Sequence, residues 1–334
     1  MSSNSSCDFS AYCLIFLRVM RLIRPLIVVL LLSLTCAVLA AGGSNSKTEI
    51  TVFFTGDVNG NFEPCGCKAG PTGGMARLVG YSRDFAEGYE GRILNVEAGN
   101  YFEDPGPNAG VINSLMKQAL AELPVQVFNL GSQDLYWWQQ LASEKLAETQ
   151  FISTNLVPLR SKLPAPQKYA VLEVPLSSGT SQKVVRIGFL GITDPVRVKP
   201  NSGFKAIDPL EAVREIKEEV MDQADFLFLL ADTIRPQGEI PANSVIRRLA
   251  EEHSEIYVIL TNEKRFILYP PTQINSAILV SSVERGRYLG QMKLVFDGEG
   301  ALQQISSELV ELKKGVPEDA VFLEGEKRVS RQLK

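Results

Sequence analysis

From residue 50 onward, short apolar runs alternate with stretches whose apolar positions fall three and four residues apart. The runs ITVFFTG (50–56), RILNVEAG (92–99), VQVFNLG (125–131), QFISTNLV (150–157) and KYAVLEVPL (168–176) read as strands. So do VVRIGFLGIT (184–193), ADFLFLLA (224–231), EIYVILT (255–261), SAILVSSV (276–283) and GQMKLVFDG (290–298). Many are continuous rather than alternating, the pattern of strands covered on both faces. Between them MARLVGYSRDFAEG, NSLMKQALAEL, LYWWQQLASEKLAE, PLEAVREIKEEVMDQ and SVIRRLAEEH carry helical spacing. Asp208 before Pro209 predicts a helix start, a capping carboxylate followed by the residue whose fixed φ suits the first turn. This rhythm predicts an α/β domain. The later half has consecutive strands without helices, which predicts a second sheet packed on the first. Residues 313–334 read as a loosely packed C-terminal tail.

Residues 1–41 stand apart from this pattern. Leu26 to Ala41 carry no charge, follow Arg18, Arg21 and Arg24, and end with small residues at Val38 and Ala40. That order predicts a signal peptide cleaved near Ala40. An uncleaved membrane anchor is the alternative, although the run is short for a spanning helix. A start at Met20 instead of Met1 would give a compact basic region, MRLIRP. The expectation is a secreted or periplasmic protein, released or anchored through this segment.

Composition narrows the chemistry. The chain of 334 residues is 45% hydrophobic and 22% charged, with five cysteines and one histidine, His253. This is an ordinary globular mixture, with just under 300 residues after the N-terminal segment to form a core. A lone histidine excludes a zinc site built from two or three imidazoles. The net charge is −4, and loss of residues 1–40 removes three arginines and one aspartate, leaving a still more acidic chain. No basic block survives, so nucleic acid has no electrostatic footprint and the membrane no polybasic dock. Cys65 and Cys67 are the cysteines that remain, in an oxidising compartment.

In α/β sheets, sites form beyond the carboxyl ends of strands. Those ends here carry Gly-Asp-Val-Asn (56–59), Glu-Ala-Gly-Asn (97–100), Leu-Gly-Ser-Gln-Asp (130–134), Ala-Asp (231–232) and Thr-Asn-Glu-Lys-Arg (261–265). Each alone is an ordinary turn sequence; five on one side of a sheet suggest a site. The loop after the first strand adds Glu63-Pro64-Cys65-Gly66-Cys67. Two cysteines with one residue between them can staple the loop through a small disulfide, a strained and easily reduced one. Two thiolates could instead capture a soft ion such as Cu(I). His253, in AEEHSE, reads as a solvated residue capping an acidic helix. Tyr136, Trp137 and Trp138 read as core packing, or as rings beside a cleft.

Taken together, ITVFFTGDVNGNFEPC…GGMARL, ILNVEAGNYFEDP, VFNLGSQDL, FISTNLV, VRIGFLGITDP, DPLEAVREI and YLGQMKLVFD resemble the calcineurin-like metallophosphoesterases. Within that superfamily the chain is most similar to the N-terminal catalytic domain of bacterial 5′-nucleotidases and UDP-sugar hydrolases, from about Glu49 to Asp297. The resemblance implies a single domain over residues 48–312, a four-layer αββα sandwich of two mixed sheets flanked by helices. It also implies two divalent metals that activate a water and stabilise the phosphoryl oxygens.

The ligand positions of the family are altered here. Asp57 and Asn59 stand at its Asp-x-His, Asn100 at its bridging aspartate, and Gln133 at the histidine of its Gly-Asn-His-Asp/Glu, with Asp134 retained. Asp232 stands at the next histidine, and Asn262, Glu263, Lys264 and Arg265 at the closing Gly-His-x-His. Two readings follow. The site is dismantled, and the protein binds a phosphorylated small molecule or a protein partner without catalysis, with Arg265 as an anion contact. Alternatively, Asp57, Asn59, Asn100, Gln133, Asp232 and Glu263 form an all-oxygen site for one Mg²⁺ or Ca²⁺ in a surviving phosphohydrolase. A third possibility is redox or copper handling through Cys65 and Cys67.

Overall fold

The computed structural model describes residues 48–334 except 67–69, 145, 147–148, 177–182, 234–239, 264–269 and the side chain of Glu263. The strands are β1 (Thr48–Thr55), β2 (Arg92–Glu97), β3 (Val127–Asn129), β4 (Gln150–Ile152), β5 (Leu156–Pro158), β6 (Tyr169–Pro175) and β7 (Val184–Thr193). They continue as β8 (Phe204–Ala206), β9 (Phe226–Asp232), β10 (Ile256–Glu263), β11 (Thr272–Ile274), β12 (Ala277–Val283), β13 (Tyr288–Phe296) and β14 (Leu302–Glu311). The α-helices are α1 (Met75–Glu87), α2 (Ala109–Glu122), α3 (Trp138–Ser143), α4 (Pro209–Met221), α5 (Val245–Glu252) and α6 (Ala320–Gln332).

Two six-stranded mixed sheets result, ordered β14-β13-β1-β2-β3-β4 and β11-β12-β10-β9-β7-β6. Strands β1 to β4 run parallel in the first, and β7, β9, β10 and β12 run parallel in the second. The expected four layers follow from side-chain alternation. On β1, Ile50, Val52 and Phe54 face a core shared with Phe189, Phe228 and Leu260 of the other sheet, whereas Phe53 points outward to Val79 and Met116. On β9, Leu227 and Leu229 turn the other way, toward Val213 and Val220 of α4 and Leu249 of α5. Strands such as β1 and β9 therefore bury both faces, which is why their sequences read as unbroken apolar runs.

Several elements differ from the sequence expectation for physical reasons. QFISTNLV divides into β4 and β5, because Ser153 turns to bond Gln167 while Thr154 and Asn155 bond Gly191 and Thr193 of β7 rather than extend the ladder with β3. LYWWQQLASEKLAE gives a 3₁₀ turn and the short α3. Strand β14 carries Gln303, Gln304, Ser306 and Glu308 on an edge with one face open, so its sequence lacks an apolar run.

The segment 313–334 is not a loose tail. It holds α6, whose Phe322 and Val329, seven positions apart, join the core beneath α1 and α2. The Glu326 carboxylate accepts the N–H of Ala76 at 2.7 Å, capping α1 from another helix. Arg77 pairs with Glu318 at 2.9 Å, Arg83 with Asp319, and Ser330 donates to Glu63. The stripe is narrow and its flanks are charged, which masks it in sequence.

The predicted start of α4 is present: Asp208 accepts from the N–H groups of Leu210 and Glu211 at 2.9 and 3.0 Å. Asp208→Ala is expected to lower stability by about 1 kcal/mol, read from the urea midpoint. Among the described residues, no helix is long and apolar enough to cross a membrane. Residues 1–41, read as a signal peptide or anchor, lie outside the described residues.

Candidate functional site

The carboxyl ends of β1, β2 and β3 from one sheet meet those of β7, β9 and β10 from the other. The turns after β1 and β2 place Asp57, Asn59 and Asn100 at φ of 51°, 52° and 61°. Short polar residues tolerate this left-handed region because their side chains bond the local backbone. Here the backbones hold each other: the N–H of Asp57 donates to Gly99 at 2.8 Å, and that of Asn59 to Asn100 at 2.8 Å. Gly131 is required at the neighbouring turn, since a Cβ there would come within 2.4 Å of the Asn100 nitrogen.

Three side chains form the centre. Asp57 and Asp232 are both fully buried. The Asn100 Nδ2 donates to Asp57 Oδ1 at 2.8 Å and to Asp232 Oδ1 at 2.9 Å. The amide orientation is fixed from behind, because the backbone N–H of Gln133 donates to Asn100 Oδ1 at 2.9 Å. A backbone N–H can only donate, so the oxygen must face Gln133 and the NH₂ must face the carboxylates. Asp232 also accepts from Asn262 Nδ2 at 3.0 Å and from the Ser132 N–H at 2.7 Å.

Among the described residues, the cation at this centre is Arg197. Its Nη1 lies 3.0 Å from Asp232 Oδ1, its Nη2 3.6 Å from Asp57 Oδ1, and Nη1 also donates to the Thr233 carbonyl at 3.0 Å. A 3₁₀ turn after β7 (Pro195–Arg197) delivers it, with Pro195 at the first position and Asp194 accepting from Val196. The backbone of Asp194 in turn bonds Asp232 at 2.8 Å. Sequence reading did not single out Arg197. Its only signal is a basic residue in the TDPVR turn at a strand end facing two aspartates.

Beneath this centre, Asp134 accepts four backbone N–H groups, those of Asn100, Gly131, Tyr101 and Phe102, at 2.7 to 3.1 Å. Burial pushes its carboxyl up to about 7 against the pull of those four donors. Glu97 is fully buried, accepting from Thr55 Oγ1 at 2.5 Å and Gly99 N at 2.9 Å. Burial first, and the charges of Asp134 and Asp57 next, hold its proton well above the usual carboxylate range. Glu97 lies in the quoted Glu-Ala-Gly-Asn run but was not singled out either.

The remaining candidates are placed as follows. Asn59 turns back, its Nδ2 donating to the Asp57 carbonyl at 2.6 Å. Gln133 points to the next loop, donating to the Phe102 carbonyl at 2.8 Å. Asp57, Asn100 and Asp232 are thus gathered, while the side chains of Asn59 and Gln133 bond elsewhere. Glu263 ends β10, but its side chain, with Lys264, Arg265 and Cys67, lies outside the described residues. The half-buried Cys65 Sγ accepts the Thr72 N–H at 3.4 Å. Trp138 sits in the core, and Trp137 donates to the Glu103 carbonyl at 2.7 Å. His253 does cap the end of α5, yet it is buried rather than solvated, and that burial lowers its pKa.

Comparison with known proteins agrees with this architecture. No protein-family model matches the chain. It is 30% identical over 125 residues to YunD of Bacillus subtilis, an uncharacterized metallophosphoesterase, covering 37% of this chain and 25% of that protein. It superposes on the 5′-nucleotidase precursor of Thermus thermophilus with a TM-score of 0.66 and 19% identity, over 85% of this chain and 59% of that one. The calcineurin-like phosphoesterase YfkN of Bacillus subtilis gives a TM-score of 0.68 at 15% identity, over 86% and 98% of the two chains. The chain thus spans a quarter of the curated relative and about three fifths of the nucleotidase.

Proposed function

Starting from a chain that has the calcineurin-like metallophosphoesterase fold and resembles its 5′-nucleotidase domains, we propose an extracytoplasmic protein whose centre no longer performs hydrolysis. It acts instead by binding a phosphorylated small molecule or a protein partner in the cleft at the strand ends. The N-terminal apolar segment supports the location, and the centre supports the loss of chemistry.

Two-metal hydrolysis needs a cradle of acceptors, with a carboxylate bridging the ions. The observation that carries the proposal is the Asn100 amide. It presents hydrogens, not lone pairs, to Asp57 and Asp232. The Arg197 guanidinium lies against the same two carboxylates. The site keeps acceptor oxygens, among them the buried Asn59 Oδ1 and Asn262 Oδ1. Even so, a donor amide stands between the two carboxylates and a fixed cation lies against both, so the residues present do not fit a metal pair.

Of the two ligand classes, the lining favours a protein. A cavity of about 560 Å³ beside the centre carries Glu63 and Glu103 next to Arg285. Asp104 follows Glu103 and raises its pKa further, after burial. Among the described lining residues two carboxylates thus face one guanidinium, which disfavours a phosphate and suits a basic segment.

The test is metal content of the purified mature protein, with p-nitrophenyl phosphate and nucleotide turnover in Mg²⁺, Mn²⁺ and Ca²⁺. Metal well below one ion per chain is expected, with no turnover above the blank. Stoichiometric metal, with turnover abolished by Asp57→Ala, would overturn the reading. Thermal stabilisation by nucleotides would favour the phosphorylated ligand over the protein partner.

A further inference from the structure

The centre lies where the strand ends of the two sheets come together, beyond the apolar core that Ile50, Val52 and Phe54 share with Phe189, Phe228 and Leu260. Two buried carboxylates lie there, one from each sheet, and both are within ion-pair distance of a single guanidinium. Such a pair of anions without a cation would repel across a medium that screens poorly. We infer that Arg197 is a resident cation, standing in this chain where a metal would otherwise balance Asp57 and Asp232, and clamping the two sheets at their carboxyl ends. The inference rests on the proposed loss of metal chemistry and adds what replaced it.

Three features support an evolved clamp rather than an incidental ion pair. The guanidinium is 15% exposed, so solvent does little to screen it. It donates to the Thr233 carbonyl and lies within ion-pair distance of both Asp57 and Asp232. The turn that carries it is preset by Pro195 and capped by Asp194. A side chain delivered by a rigid turn needs little ordering on folding.

The inference also explains the amide at position 100. Counting the described side chains, a third carboxylate beside an arginine and two aspartates would leave two uncompensated charges. A neutral donor leaves one, held on Asp232 by three N–H groups from Asn100, Asn262 and Ser132.

The experiment compares melting temperatures, in chelator and in excess Ca²⁺ or Mn²⁺, of the wild-type chain, Arg197→Met, and Asp57→Asn/Arg197→Met. The double variant restores the wild-type net charge at the centre and leaves an acceptor for the Asn100 amide. In chelator, Arg197→Met is expected to melt about 5–10 °C below wild type, as for a buried charge stripped of its partner. The double variant should recover at least half of that loss. Ca²⁺ or Mn²⁺ should raise the melting point of Arg197→Met and leave wild type unchanged. Should Arg197→Met not accumulate, accumulation and near-wild-type melting of the double variant carry the test. An Arg197→Met protein as stable as wild type overturns the inference, as does a double variant no better than the single one. Metal bound by the wild-type chain would instead count against the loss of metal chemistry, so the two failures are distinguishable.

Discussion

Asp134→Ala is expected to remove most of the stability of the domain, by about 4 kcal/mol or more, and to reduce soluble yield sharply. The carboxylate has no surface role; it is fully buried and collects the N–H groups of Asn100, Tyr101, Phe102 and Gly131. Truncation leaves four buried donors without an acceptor, each worth about 1–3 kcal/mol when stranded, less whatever a trapped water recovers. Asp134→Asn discriminates this account from simple loss of volume. An amide supplies one oxygen, which can still serve Tyr101 and Phe102. Its NH₂ would face the N–H groups of Asn100 and Gly131, so most of the loss should persist. Urea unfolding of both variants gives the answer, and a loss below about 1 kcal/mol for Asp134→Ala would show that the loops are held by something else.

The second large effect concerns pH and the docking of α6. Glu326 has an ordinary value of 4.5, raised to about 7, mainly by burial and secondarily by Glu318 and Glu63, while the Ala76 N–H and Arg77 pull it down. In the folded chain Glu326 keeps its proton up to about pH 7, whereas in the unfolded chain it releases it near 4.5. Between those values the unfolded state binds fewer protons, so stability falls as pH rises. Below 4.5 the penalty is absent, and above about 7 it is fully present. We expect wild type to lose about 1–3 kcal/mol from this group across the window. Glu326→Gln keeps an acceptor for Ala76 and carries no charge at any pH. It should therefore match wild type at acid pH and exceed it at pH 8. Asp134, also raised to about 7, titrates in the same range, but it is common to both proteins and cancels in the difference. Parallel stability–pH curves would contradict this account.

How much of this was legible in the sequence follows from what each residue contributes to a pattern. Asp57, Asn100 and Asp232 were readable because they end strands whose apolar runs are long, and because each stands in a motif the resemblance supplies. Arg197 was not, since its importance depends on an aspartate from each sheet, at positions 57 and 232, that meet it only in the folded chain. Asn59 and Gln133 share the motifs of the others, yet their side chains bond local carbonyls, a choice made by loop geometry rather than by residue type. The sheets followed from continuous apolar strands, whereas β14 and α6, each with one polar side, were hidden by their own exposed residues. His253 was placed at the right helix end, but its burial depends on a packing surface that no local pattern encodes.

The capping of α1 by Glu326 bears on how the polypeptide acquires its structure during synthesis. Ala76 waits for a partner 250 residues downstream, so at a ribosomal rate of about 5–20 residues per second its N–H is without that acceptor for roughly 12–50 s. Through that interval the faces of α1 and α2 that later meet Phe322 and Val329 lack their cover. Closure of this layer therefore requires the end of the chain, and until Phe322 and Val329 arrive it exposes apolar surface that the finished domain hides.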